Sequence, residues 1–324
     1  MHIPDGVLDP TVCAATGGAA AAAVGYSMYR LRDTLAERTI PVTGMTASLI
    51  FAAQMVNFPL VIAPVSGHLL GGVLAAAILG PWGGCLALSM VLFVQVALFA
   101  DGGWMALGAN ILNMGVIGCW GGALVLKATR KLVRDPARGT VIGAIWGAWL
   151  TVMLGATMFC VEFAFSSTAA DYDLGHLIFL MLGFHALIGI GEAVITGLIL
   201  KYLMQVRPDL VVREAGDKQS RGWIGLTVAG VILAVGIVVV AAPWASSSPD
   251  GLEAVGERLK FGELAQASSS VWLEDYSLPW LGDRWEGVGT ALVGLVGTAV
   301  VFLLTILLTR GLKPQAMQRS QGLS

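Results

Sequence analysis

Long apolar runs separated by short polar breaks set the pattern of this chain. They read as helices near residues 11–30, 42–62, 69–79, 84–100, 104–126, 140–163, 176–204, 223–243 and 288–309. Most approach the roughly 20 residues a helix needs to cross about 30 Å of hydrocarbon, and none shows the ten-residue alternation of a barrel strand. The expected fold is therefore an all-α polytopic bundle of about nine transmembrane helices. The third run is short: at about 1.5 Å per residue it rises only about 17 Å. It must extend, tilt or lie shielded inside the bundle before Gly80-Pro81-Trp82-Gly83-Gly84 breaks it.

Charge placement orients the bundle. With nine crossings and the N-terminus outside, the inner segments hold Arg30, Arg32, Arg38, Lys127, Arg130, Lys131, Arg134, Arg138, Lys201, Arg207, Arg213, Lys218, Arg221, Arg310, Lys313 and Arg319, out of 19 basic residues. Only Arg258, Lys260 and Arg284 fall outside, alongside Asp5, Asp9, Asp101, Asp171, Asp173 and many acids of 250–286. The positive-inside rule then predicts an N-out, C-in protein of the cell (inner) membrane. The same arrangement puts Met1, His2 and His68 on one side.

Composition agrees with a lipid environment. The 324 residues are 56% hydrophobic and 12% charged, with a mean hydropathy of +0.78, more apolar surface than a water-soluble globule buries. A net charge of −2, with basic residues confined to short loops, gives no reason to expect nucleic acid. Cys13, Cys85, Cys119 and Cys160 lie far apart without C-x-x-C spacing and read as small apolar residues rather than disulfides or ligands. No basic residue precedes Arg30, so a cleaved leader is not expected. The bulk of His2 is expected to keep Met1 in place, with a free amine after deformylation. Three regions follow: 1–204, a polar and basic linker 205–222, and a helix–loop–helix module 223–324 whose outer loop is acidic.

The candidate chemistry lies at the start. The Met1 amine, the His2 amide nitrogen and the His2 imidazole are consecutive nitrogens of one short chain, so they close two adjacent chelate rings on one ion. With the amide deprotonated this array favours four nitrogens in a plane, which suits Ni(II) or Cu(II) better than Zn(II). His68, in Ser66-Gly67-His68-Leu69-Leu70-Gly71-Gly72, is the candidate fourth nitrogen, and Pro4 with the Asp5-Gly6 turn pair would fold the tail back into the bundle. The residues alone leave open a solvated tail at His2 and an ordinary interfacial histidine at 68. Asn110 and Asn113 share one helical face, and His185 and Glu192 another. All four are candidates for orienting His2 or His68, for lining the ion's route, or for helix–helix hydrogen bonds.

Several long motifs, in order, resemble the NikM/CbiM family, the substrate-binding S components of energy-coupling-factor nickel and cobalt transporters. They are Met-His-Ile-Pro-Asp-Gly, Ser66–Gly72, Asp101-Gly102-Gly103, Ala106–Met114 and His185–Thr196, and the resemblance runs over about 1–204. Ser248-Pro249-Asp250-Gly251-Leu252-Glu253 resembles the PDGLE segment of the small NikN/CbiN subunit, making this a fused NikMN-type chain. The resemblance implies a seven-helix S component with a two-helix module and metal ligation by Met1, His2 and His68. It also implies partners: a NikQ/CbiQ-type transmembrane coupling protein and a NikO/CbiO-type ATPase. The chain has no G-x-x-x-x-G-K-[ST] loop and is not expected to be an enzyme, so ATP hydrolysis would come from that partner. Ni(II) is the expected substrate, with Co(II) as the alternative; the opening I-P-D-G looks more like the nickel branch. A membrane metal sensor or scaffold, and a proton-driven transporter acting through His185 and Glu192, are the competing readings.

Overall fold

The computed structural model describes residues 1–32, 39–60, 62–207, 211, 223–266 and 273–312. Its helices are α1 (Pro10–Arg32), α2 (Thr39–Gln54), α3 (Gly72–Phe99), α4 (Leu107–Leu132), α5 (Pro136–Phe165), α6 (Leu174–Val206), α7 (Trp223–Trp244), a short α8 (Gly251–Leu259) and α9 (Glu286–Gly311). The only pairing among the described residues is antiparallel, between β1 (Phe58–Pro59) and β2 (Ser66–Gly67). Most of linker 205–222, and Arg38, Arg213, Lys218, Arg221, Lys313 and Arg319, lie outside the described residues.

Among the described residues six helices, α3 to α7 and α9, are long and apolar enough to cross a membrane. Large apolar side chains on their outer faces are exposed, among them Leu124, Trp146, Phe179, Ile232 and Leu303. An outward apolar surface of this extent is stable only against lipid. The chain is a multi-pass, all-α membrane protein. The nine crossings expected above also count α1, which is diluted by Ala, Gly and Thr, α2, which has 16 residues, and the two arms of α3 separately.

Those arms exist. Gly80 has φ 77° and ψ 172°, outside any helical region, so the chain leaves the helix just before Pro81. A Cβ added to Gly84 would stand 3.0 Å from the Ala75 carbonyl carbon. In a straight helix residues nine apart are separated by about 13.5 Å along the axis, so here the chain doubles back. The arm 72–79 is therefore an eight-residue helix running inward from the site, and its short length is met by shielding within the bundle: Val73 to Leu79 are all buried. Trp82, just past the bend, packs under the Arg30 guanidinium at 5.3 Å, which places the bend at the end of α1 remote from Met1.

α2 ends eight residues before the run that suggested it. Phe58 precedes Pro59, which disfavours helical backbone, and the segment pairs with β2 instead. The resulting hairpin leads directly into His68.

Close approach between α3 and α4 depends on glycine. A Cβ on Gly72 would lie 2.6 Å from the Gly118 Cα, with backbone on the far side. Gly72→Ala is expected to destabilise the fold by about 1–3 kcal/mol through overpacking, read as a lower thermal unfolding midpoint in detergent. Gly225→Ala, where nothing lies within 4 Å, is the control expected to hold its midpoint; equal midpoints for both would contradict this packing.

Candidate metal centre

The first six residues belong to no helix or strand, yet Met1 and Ile3 are buried and the other four half-buried. Met1 is 4% exposed and Ile3 1%. A buried irregular segment must satisfy its backbone groups elsewhere, and three elements do so. The Asn110 side chain grips Ile3 at both ends, its Oδ1 accepting the Ile3 N–H at 2.8 Å and its Nδ2 donating to the Ile3 carbonyl at 3.1 Å. The Asp5 carboxylate accepts from the backbone N–H groups of Trp104, Met105 and Ala106 at 3.0, 2.8 and 3.1 Å. Gly103 N–H reaches the Ile3 carbonyl at 2.9 Å, and Gln266 N–H reaches the Asp5 carbonyl at 2.9 Å. Gly6, at φ 91°, makes the turn that returns the chain to α1. Among the described residues no acceptor takes the His2 amide N–H.

The tail delivers its tip to His68. The Met1 amine lies 3.1 Å from His68 Nε2. His68 Nδ1 faces the Leu69 carbonyl at 3.2 Å and can only donate there, so the geometry assigns the tautomer with a lone pair on Nε2, turned to the amine. The His2 and His68 rings stack with centroids 5.3 Å apart and planes 18° from parallel. His2 Nδ1 rests 3.1 Å from Asp101 Oδ1 and Nε2 3.2 Å from Gln95 Oε1. Gln95 continues to Gln54 at 3.0 Å, and Gln54 to the Leu70 carbonyl at 3.0 Å, so a chain of amides joins His2 to the His68 loop.

Burial pushes the His68 imidazole down to about 3. It lowers His2 as well, opposed by Asp101. Burial thus favours the neutral form of both rings, whereas at His2 both nitrogens face acceptors, so its Nδ1 must leave Asp101 before it can offer a lone pair. Asp250, from the loop before α8, contacts the Met1 amine, and its Oδ2 lies 3.9 Å from His68 Nε2. Burial raises the Asp250 carboxyl, but the Met1 ammonium outweighs this and holds it below the usual carboxylate range.

Glu192 accepts from Leu70 and Gly71 N–H at 2.7 and 3.0 Å, holding the backbone just past His68. His185 is fully buried, with Nδ1 on the Met181 carbonyl at 2.8 Å and its ring against Gly251, where a Cβ would stand 2.8 Å from Cε1. Asn113 is apart from the histidines: its Nδ2 bonds Glu162 Oε2 at 2.8 Å, between α4 and α5. Asn110, Glu192 and His185 thus border the tail and the His68 loop, whereas Asn113 joins helices. The cysteines are all free and buried.

Sequence reasoning passed over Asp101 and Asp250 as individual groups, along with Gln54, Gln95 and Glu162. The last three carried a signal, since each is a lone amide or acid in an apolar run. Asp250 carried only its place in the PDGLE-like segment, because only the fold brings it to residue 1. Among the described residues no three His, Cys, Asp or Glu side chains converge closely enough to hold an ion. Capture at this place would have to recruit main-chain nitrogen.

Residues 2–210 match the CbiM family, described as the cobalt uptake substrate-specific transmembrane region, and 225–314 match the PDGLE domain. The chain belongs to the CbiM family. A putative fused nickel transport protein NikMN of Archaeoglobus fulgidus is 34% identical over 310 residues, 96% of this chain and 98% of its own length. A probable fused nickel transport protein LarMN of Lactiplantibacillus plantarum is 29% identical over 97% of this chain and 98% of its own. A putative cobalt transport protein CbiM of Methanocaldococcus jannaschii is 26% identical, covering 66% of this chain and 91% of its own. The crystal structure of a truncated transition metal transporter superposes with a TM-score of 0.56 at 29% identity, over 64% of this CbiM-family chain and 99% of that one.

The two-point grip of Asn110 on Ile3 gives a test of the tail's seating. Asn110→Ala removes both bonds and leaves the buried Ile3 N–H unpaired, while the Ile3 carbonyl keeps Gly103 N–H, a loss of about 1–3 kcal/mol. The variant is expected to stay folded while its Met1 amine becomes accessible to an acylating reagent, scored by intact mass; an amine as protected as in the wild type would contradict the clamp.

Proposed function

We propose that this chain captures Ni(II) at its N-terminus as the substrate-specific component of an ATP-driven importer of the energy-coupling-factor type. It is a membrane component of the NikMN/CbiM type of nickel and cobalt transport. The observation that carries the proposal is the buried meeting of the Met1 amine with His68 Nε2 at 3.1 Å, with the His2 ring stacked on that of His68. Neighbouring ligands on an ion with bonds of about 2.0–2.1 Å are about 2.9 Å apart when they subtend a right angle, so these two nitrogens stand near the spacing of adjacent ligands.

The His2 amide nitrogen closes a five-membered ring with the amine, and His2 Nδ1 a six-membered ring with the amide. In the structure Nδ1 faces Asp101. Capture therefore takes it off that carboxylate by turning the ring, and a dication replaces one ammonium proton and one amide proton. Asn110 and Asp5 position the tail for this exchange, and Glu192 and the Gln54–Gln95 pair position His68 and His2.

Nickel rather than cobalt is supported by two facts: the planar nitrogen set suits Ni(II), and the relatives that match nearly the whole chain, including the PDGLE region, carry nickel in their names, whereas the cobalt-named ones match about two thirds. Energy comes from partners in this reading, a NikQ/CbiQ-type coupling protein and a NikO/CbiO-type ATPase, since the sequence carries no phosphate-binding loop.

Isothermal titration of Ni(II) and Co(II) into the purified chain, alongside His2→Ala, His68→Ala and a variant with one residue added before Met1, tests the ligand set. All three variants are expected to lose at least about 100-fold in nickel affinity while remaining folded, and the wild type to bind nickel more tightly than cobalt. Normal binding by the extended variant would remove the amine from the ligand set.

A further inference from the structure

The proposed site has an unbalanced charge. A divalent ion held by a neutral amine, two neutral imidazoles and one deprotonated amide keeps one net positive charge, at a place where Met1 and His68 are 4% and 5% exposed. A charge taken out of water in this way is strongly disfavoured unless an anion is built in beside it.

Asp250 stands where that charge falls. Its Oδ1 is engaged, accepting Leu252 N–H at 2.7 Å and Glu253 N–H at 2.9 Å as the cap of α8, while the Asp250 N–H donates to Glu253 Oε2 at 2.8 Å. That cap leaves Oδ2 turned to the Met1 amine, 3.9 Å from His68 Nε2. The loop is tied to the His68 hairpin: Ser66 N–H donates to the Pro249 carbonyl at 2.8 Å and Ser66 Oγ to the Ser248 carbonyl at 2.7 Å. An ion bonded to Met1 N and His68 Nε2 would thus lie against Oδ2. The neighbouring carboxylate, Asp101, faces His2 and has a side chain 25% exposed against 12% for Asp250, so water already screens it.

We propose that Asp250 is the counter-charge of the metal site, so that the PDGLE module completes a site whose nitrogen ligands all come from the CbiM domain. The inference rests on the nickel-capture reading above. As the structure stands, the carboxylate balances the Met1 ammonium. A dication that displaces the ammonium proton and the amide proton leaves one positive charge at the same place, with two protons released. The same oxygen then balances that charge and accepts a hydrogen bond from the coordinated amine. Site charge is conserved through the exchange, with the anion supplied by the PDGLE segment.

Two substitutions separate this role from the cap. Asp250→Asn keeps a good helix cap and loses the charge, whereas Asp250→Glu keeps the charge on a side chain that caps poorly. Glu253→Gln removes the neighbouring charge while its side-chain oxygen can still accept the Asp250 N–H, and leaves Asp250 intact. Nickel titration of the full chain at one mildly alkaline pH is expected to show Asp250→Asn weakened by about 10–100-fold, Asp250→Glu weakened less, and Glu253→Gln within about threefold of wild type. Wild-type affinity in Asp250→Asn, or an order with Asp250→Glu or Glu253→Gln the weaker, overturns the counter-charge and leaves Asp250 as a cap only. His68→Ala, run in the same series, keeps the two readings apart. If it loses nickel while Asp250→Asn does not, only the counter-charge falls; if it binds as wild type, the capture site itself falls.

Discussion

A primary amine carried into the interior of a membrane protein is the constraint on which the rest of this structure depends. An ammonium is among the costliest groups to take out of water, and it is retained only where partners are fixed in advance. Here the Met1 amine meets one carboxylate oxygen and one imidazole lone pair, from Asp250 and His68. Each of those partners requires its own support. His68 needs a short hairpin ahead of it and the Glu192 clamp behind it. Asp250 needs the cap of α8 and the Ser66 ties.

The bundle is arranged to make that approach possible. An eight-residue helical arm leaves the site, turns at Gly80 and returns as the longer arm that carries Gln95 and ends beside Asp101, so this hairpin brings both ring partners to His2. The PDGLE module lies over the tail: Gln266 N–H reaches Asp5, Tyr276 donates to Asp101 at 2.7 Å, and Phe261 packs tilted or edge-on among Phe159, Phe163 and Tyr172. The two matched domains therefore share one core around the N-terminus.

Much of this was legible in the residues. Apolar runs of membrane length marked the long helices to within a few positions, because burial in lipid constrains every residue of a span. The chelating potential of Met1-His2 could be read from bond connectivity alone. Helix ends set by local breakers were less legible: the run through Phe58 looked continuous until Pro59 and strand pairing ended α2 early. Gly80 was recognised as a break, but a reversal needs the tertiary contact of Gly84 with Ala75 to be seen. Asn113 and Asn110 looked alike three residues apart, yet only Asn110 faces the tail, while Asn113 faces Glu162. Asp250 could not be placed at all, since its partner is 249 residues away.

The central claim, chelation through the amine and a deprotonated amide, is tested most directly by counting protons. Ni(II) is titrated calorimetrically into the full chain in buffers of different ionisation enthalpy at one near-neutral pH, and the slope of heat against that enthalpy gives the protons released per ion. The account predicts about two, one from the Met1 ammonium and one from the His2 amide. A release near zero would mean that the ion is held by side chains alone, and the claim would fail.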